Sequence, residues 1–175
     1  MFDSPLTAEY LAHWQSLRHD ARPPTTEDYF DHISVRAAPL LLMFECTAAD
    51  VTLRYQGTRI VQRWGKDRTG ESWLAGKPPA AAAAILANMR DCVGHPCGAF
   101  SKSTYVTKHG RALNLESLTL PLTAADGRPG RLIALSNVQD PVDERDGGVG
   151  RVERNRFGWF DVGFGVPSHD VRQNR

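Results

Sequence analysis

The chain has 175 residues, 41% hydrophobic and 23% charged, with 21 Lys and Arg against 20 Asp and Glu. This is one domain's worth of chain, long enough to bury a core without disulfide or metal staples, and the composition excludes a disordered polymer. A formal net charge of +1 leaves no strong electrostatic footprint for nucleic acid or an anionic membrane, so neither is expected as a partner.

Residues 4–19 predict an amphipathic helix. Ser4 can cap it, Pro5 suits a first turn, and Leu6, Tyr10, Leu11, Trp14 and Leu17 recur at three- and four-residue spacing. A stripe this large and aromatic must cover something, either the domain's own sheet or the same helix of a second copy. Before the helix there is no basic leader, and no apolar run approaches the roughly 20 residues of a membrane span. A Pro23-Pro24 loop then leads to a short segment around Tyr29, Phe30 and Ile33.

Leu40 to Cys46 is a nearly continuous apolar run, the mark of a strand buried on both faces. Val51 to Ile60 alternates, with Val51, Leu53 and Tyr55 expected on one face and Thr52, Arg54 and Gln56 on the other. From Ile60 the period changes to short helices punctuated by Gly65, Gly70 and Gly76. Pro78 and Pro79 open a longer helix whose Ala80–Ala84 run has high helix propensity, and Gly94 and Pro96 end it. Three strands follow, Phe100–Lys108, Arg111–Leu122 and Leu132–Val138, joined by turns at His109-Gly110 and Asp126–Gly130. Leu113 and Leu115 are out of phase with Leu118, Leu120 and Leu122, which implies a bulge near Glu116 and Ser117 or burial on both sides. After Asp140 the chain reads as a flexible linker to Arg156. An aromatic arm of Phe157, Trp159, Phe160 and Phe164 comes next, expected to dock on its own sheet or on a neighbouring subunit.

The organisation expected is therefore an N-terminal helix and loop over 1–34, a domain over 35–139, and a linker with a C-terminal arm over 140–175. The element order gives an α+β domain, a five-stranded antiparallel sheet with helices on one face.

The stretch RYQGTRIVQRWGKDRTGESW, Arg54 to Trp73, resembles the junction after the second strand of PAS sensor domains, where short helices follow a small residue. LAHWQSLRHDARPP, Leu11 to Pro24, is similar to the lead-in of short stand-alone bacterial PAS proteins that carry an N-terminal helix and no output domain. The resemblance covers about Leu6 to Val138. It implies a cytoplasmic sensory or regulatory module in signal transduction that binds a small molecule, a protein partner or both, rather than an enzyme. It also implies homodimerisation through Leu6, Tyr10, Trp14 and Leu17. The cofactor is unknown: Gly57 to Arg68 lacks the cysteine of a flavin photosensor of the LOV type, and the Pro79–Val93 helix lacks the axial histidine of a haem sensor.

Tyr55, Trp64, Trp73, Met89 and Tyr105 are the side chains most able to line a cavity between sheet and helices, or else ordinary core. Arg54 and Arg59 could meet an anionic group or simply be exposed. Cys92, His95 and Cys97 form a compact soft-ligand group but fall short of the four ligands of a structural zinc site, so no metal is expected. Phosphate-loop, nucleophile-elbow and metalloprotease motifs are absent. The second reading is a small enzyme or ligand carrier on a related cradle, with Glu116 or a histidine handling protons. It requires those groups to converge in the cavity.

Overall fold

The computed structural model describes residues 2–18, 22–124, 126–141 and 149–167. The N-terminal helix α1 runs Pro5–Ser16 with proline in its first turn. α2, Thr26–Asp31, is capped by the Thr25 hydroxyl, which accepts from the Asp28 N–H at 3.0 Å. The hairpin β1 (Leu41–Cys46) and β2 (Val51–Gln56) follows, then α3 (Thr58–Trp64) and α4 (Pro79–Gly94). The chain continues through β3 (Gly98–Thr107), β4 (Ala112–Thr123), β5 (Pro129–Val138) and β6 (Val149–Phe160). No helix among the described residues is long and apolar enough to cross a membrane.

The sheet is antiparallel throughout, ordered β2-β1-β5-β4-β3-β6. It has a sixth strand beyond the expected five, because Val149–Phe160 pairs along the whole of β3. The linker expected up to Arg156 therefore ends earlier: Val149–Arg156 is strand, and the part over 142–148 lies outside the described residues. The charges that suggested a linker belong to an edge strand, where Arg151, Glu153 and Arg154 meet solvent and discourage further strand pairing. The aromatic arm docks on its own sheet. Two reciprocal cross-strand pairs set its register, Gly98 opposite Phe160 and Phe100 opposite Gly158. A Cβ on Gly98 would fall within the Phe160 ring, and one on Gly158 would sit 2.7 Å from the Phe100 ring edge.

Helices cover both sides of the sheet. On one side α1 and α2 lay Tyr10, Trp14 and Tyr29 against Phe100, Leu118, Leu120, Leu122, Ile133 and Leu135. On the other, α3 and α4 bring Ile60 and Cys92 to Leu42, Phe44, Leu53, Leu132 and Ala134. β4 pairs without a register break from Leu113 to Leu122, so the leucine phase shift is not a bulge at Glu116: Leu113 is buried on one face, and Leu118, Leu120 and Leu122 on the other. A bulge does occur in β2. Met43 pairs Tyr55 and Phe44 pairs Leu53, leaving Arg54 as the extra residue. Residues on either side of a bulge lose their alternation. Tyr55 is therefore turned to the α1–α2 side, away from Val51 and Leu53.

The outer edge of β2 is not left open. Backbone groups of Gly70, Glu71 and Trp73 bond to Leu53 and Val51 at 2.7–3.0 Å. Gln56 holds that segment from the other end, its amide donating to the Lys66 carbonyl and accepting from the Arg68 N–H. Gly57 must be glycine because a Cβ there would overlap the Pro39 carbonyl.

Candidate functional site

The two faces of the sheet are packed differently. On the α1 side Trp14 and Tyr29 are 0% exposed, and Glu116, Leu118 and Leu120 of the central strand β4 are at most 1% exposed. On the α4 side the same strand presents Leu115, Ser117 and Thr119, all only half-buried. Cross-strand pairing sets Ser136, Ser117 and Ser101 side by side across β5, β4 and β3, with Phe157 of β6 next in the row. The adjacent row is Ala134, Thr119, Ala99 and Trp159. The interior of a sheet normally carries branched and aromatic side chains on a face that helices cover. Here the floor is made of small and hydroxyl side chains.

Aromatic residues flank that floor. Toward β1 and β2, Trp64 and Trp73 stack with centroids 5.3 Å apart, and Trp73 leans on Phe44 at 5.2 Å. Arg68 and Lys77 lie over the Trp73 ring at 5.5 and 4.9 Å. Met89 of α4 packs into the same cluster, half-buried. Toward β6, Phe157 and Trp159 meet edge to face at 5.1 Å, and the buried Trp159 indole N–H has no acceptor.

Arg63 closes a third side. It follows Ile60 by three residues on the buried face of α3 and is 7% exposed. Its Nη2 donates to the Ser136 carbonyl at 3.1 Å, a β5 group left free where β1 has ended, and its guanidinium carbon lies 5.8 Å from the Tyr105 ring centre. Burial pulls the guanidinium below its ordinary value while the Tyr105 hydroxyl pushes the other way. It remains a cation.

Of the five expected ligand-facing residues, the structure gathers Trp64, Trp73 and Met89 in one cluster and places Tyr105 on the same sheet face beside Arg63. Tyr55 is excluded: the bulge at Arg54 sends it to the far face, where it meets Phe30 at 5.3 Å and donates to the Ala38 carbonyl. Arg54 is exposed and paired with Glu45 across the hairpin, its Nε 2.8 Å from the carboxylate, and Arg59 is exposed on α3. The dimerisation stripe is likewise corrected at its centre. Tyr10 and Trp14 are 2% and 0% exposed inside the chain's own core, donating to the Ile133 and Pro121 carbonyls, so neither offers surface to a second copy. Leu6 and Leu17 pack at the rim of that core, half-buried.

Glu116 sits on the α1 side. Its Oε2 accepts the Asp3 N–H at 2.9 Å, its Oε1 has no partner, and the sheet separates it from the α4-side floor. It therefore cannot be a proton-handling group in that space. Cys92 and Cys97 are wholly buried at the end of α4, where the Cys92 thiol donates to the Cys97 carbonyl at 2.7 Å, while His95 is exposed, its ring beside Gly165. The hydrogen bonding with Cys97, then burial, pushes the Cys92 thiol up.

An open antiparallel sheet with one filled face and one small-floored face beneath short helices has the form of a sensing cradle. The sequence matches the PAS domain over residues 2–136, and the chain belongs to that family, a class of sensory modules that bind small molecules or partners. No curated protein matches the sequence. Among solved structures it is similar to VqmA of Vibrio cholera in a ligand–DNA complex, at 12% identity and a TM-score of 0.47 over 65% of this chain and 53% of that one. It is also similar to an RNA-binding light-oxygen-voltage receptor, at 18% identity and a TM-score of 0.44 over 70% of this chain and 37% of that one. A fungal LOV domain photoreceptor aligns at 17% identity and a TM-score of 0.43, over 75% and 90% of the two chains. This chain thus spans about half or less of the first two. These are distant likenesses, and the family membership rests on the sequence match.

Proposed function

We propose that this PAS domain is a cytoplasmic sensory module that takes a small molecule on the α3–α4 side of its sheet and passes the change to a protein partner or a second copy of itself. The observation that carries the reading is the contrast along β4, with Glu116, Leu118 and Leu120 sealed while Ser117 and Thr119 remain half-buried in the middle of a six-stranded sheet. A face meant only for packing would carry large apolar side chains there. The aromatic side chains around it supply the mostly apolar lining that small-molecule sites use, with a few polar groups to fix orientation. Its three cysteines are free thiols, as suits a reducing compartment. Glu116 lies on the opposite face, which weighs against the enzyme reading.

The test is Ser117→Leu, followed by native mass spectrometry and thermal-shift screening. If the floor is kept clear for a guest, leucine fills it: the variant melts at or above the wild-type temperature and retains no small molecule that wild type holds. If the face is finished core, leucine overpacks it and lowers stability by about 1–3 kcal/mol. That result, with no compound bound to wild type, would refute the proposal.

A further inference from the structure

A buried guanidinium without a counter-ion is the most informative charge in the molecule. Among the described residues, no carboxylate comes within ion-pair distance of Arg63; the ion pairs of Arg36, Arg54, Arg68, Arg128 and Arg151 all lie elsewhere. One of its five donors is used by the Ser136 carbonyl. An unpaired buried cation is costly, and buried charges are ordinarily paired. Arg63 stands at the β5 end of the serine row, since it bonds the backbone carbonyl of Ser136, that row's β5 member. At the β6 side, roughly 14 Å away across three strand spacings, the Trp159 N–H is a second buried donor lacking an acceptor. Arg154 lies on that same face, over Phe157 at 5.2 Å. The unmet needs are all for acceptors and negative charge, and the surroundings are aromatic.

We infer that the α4-side floor binds a small organic carboxylate, its charged end on Arg63 and its apolar body along the serine row toward Trp159. This rests on the sensory reading above and adds the ligand's class. A single planar guanidinium with spare donors fits one carboxylate in bidentate fashion. A phosphate dianion would bring a second charge, and the other cations of that face, Arg68, Lys77 and Arg154, stand over the flanking Trp73 and Phe157 rings rather than beside Arg63.

The test is calorimetric titration of the whole chain with 3-phenylpropanoate, its uncharged amide and inorganic phosphate, using wild type, Arg63→Met and Arg63→Lys. Met keeps an apolar stem and removes the charge together with the hydrogen bond to the Ser136 carbonyl. The expected results are carboxylate binding at least tenfold tighter than amide or phosphate, loss of that preference in Arg63→Met, and partial retention in Arg63→Lys. Arg63→Met should also melt close to wild type, because removing the unpaired charge offsets the loss of the hydrogen bond to the Ser136 carbonyl. Equal binding of acid and amide would overturn the charge assignment while leaving a small-molecule site in place. Tighter binding of phosphate would overturn the carboxylate class. A lower melting temperature for Arg63→Met with its acid preference intact would make Arg63 a structural cap on β5. If none of the three probes binds and native mass spectrometry finds no retained molecule, the sensory reading fails as well.

Discussion

Trp14→Ala separates a helix that serves its own core from one that serves a dimer. Trp14 is fully buried and its indole N–H donates to the Pro121 carbonyl at 2.8 Å. Pro121 stands in β4 just past Thr119, the last β4 residue that β3 pairs. Its missing N–H therefore costs nothing, and its carbonyl has no ladder partner on that side. Trp14 supplies the partner. Truncating a buried tryptophan costs about 3–5 kcal/mol, and leaving a buried carbonyl unmet adds ~1–3. Against a domain stability of about 5–15 kcal/mol, the variant should lose at least ~4. With a urea slope of about 2 kcal/mol/M, that moves the midpoint down by about 2 M. Trp14→Phe keeps most of the volume, loses the hydrogen bond, and should cost about 1–3 kcal/mol. The assay is urea unfolding followed by circular dichroism, with mass measurement in solution on the same samples. An unchanged midpoint together with a fall in oligomer mass would refute the packing account and restore Trp14 to an interface.

Two further outcomes test the sixth strand and the turn after it. Gly98→Val places a side chain where the Phe160 ring now lies, so β6 should detach and trypsin should cut after Arg151, Arg154 or Arg156 at least tenfold faster than in wild type; unchanged cleavage would mean that the pairing is not set by these glycines. The Asp161 carboxylate accepts from the Gly163, Phe164 and Gly165 N–H groups at 2.6–2.9 Å, and the first of these bonds, with the others, holds it below its usual value of 3.8. A depressed folded value contributes stability that is fully present above 3.8 and is lost as pH falls through the lower folded value. The Gly163 amide resonance should therefore be constant from pH 8 to 5 and move only below about pH 4, and Asp161→Asn should abolish that movement.

Much of the fold is legible in the sequence because it depends on local patterning. The Leu41–Cys46 run, the proline-opened helices and the turn glycines each carry their own signal within a few residues. What escapes is set by pairing between distant segments. Val51, Leu53 and Tyr55 alternate perfectly, yet the β1–β2 register inserts Arg54 and reverses Tyr55. Val149–Arg156 reads as a linker because an edge strand can keep charge on both faces, and what holds it is its ladder with β3, about fifty residues back in the chain. Ser101, Ser117 and Ser136 each look like solvent positions until the ladder sets them in one row. Arg63 could have been found, since it shares helical spacing with Ile60 on α3, and a charge at a stripe position is a signal in its own right.

The most direct measurement is a crystal structure of the protein isolated from its own cell, read at the floor formed by Ser101, Ser117 and Ser136. Compact non-protein density over those serines, in hydrogen-bond reach of Arg63 and bounded by Trp64, Trp73 and Met89, is the expected result. Those three side chains closed down onto the serines, with Arg63 paired to a carboxylate of the chain itself, would contradict it.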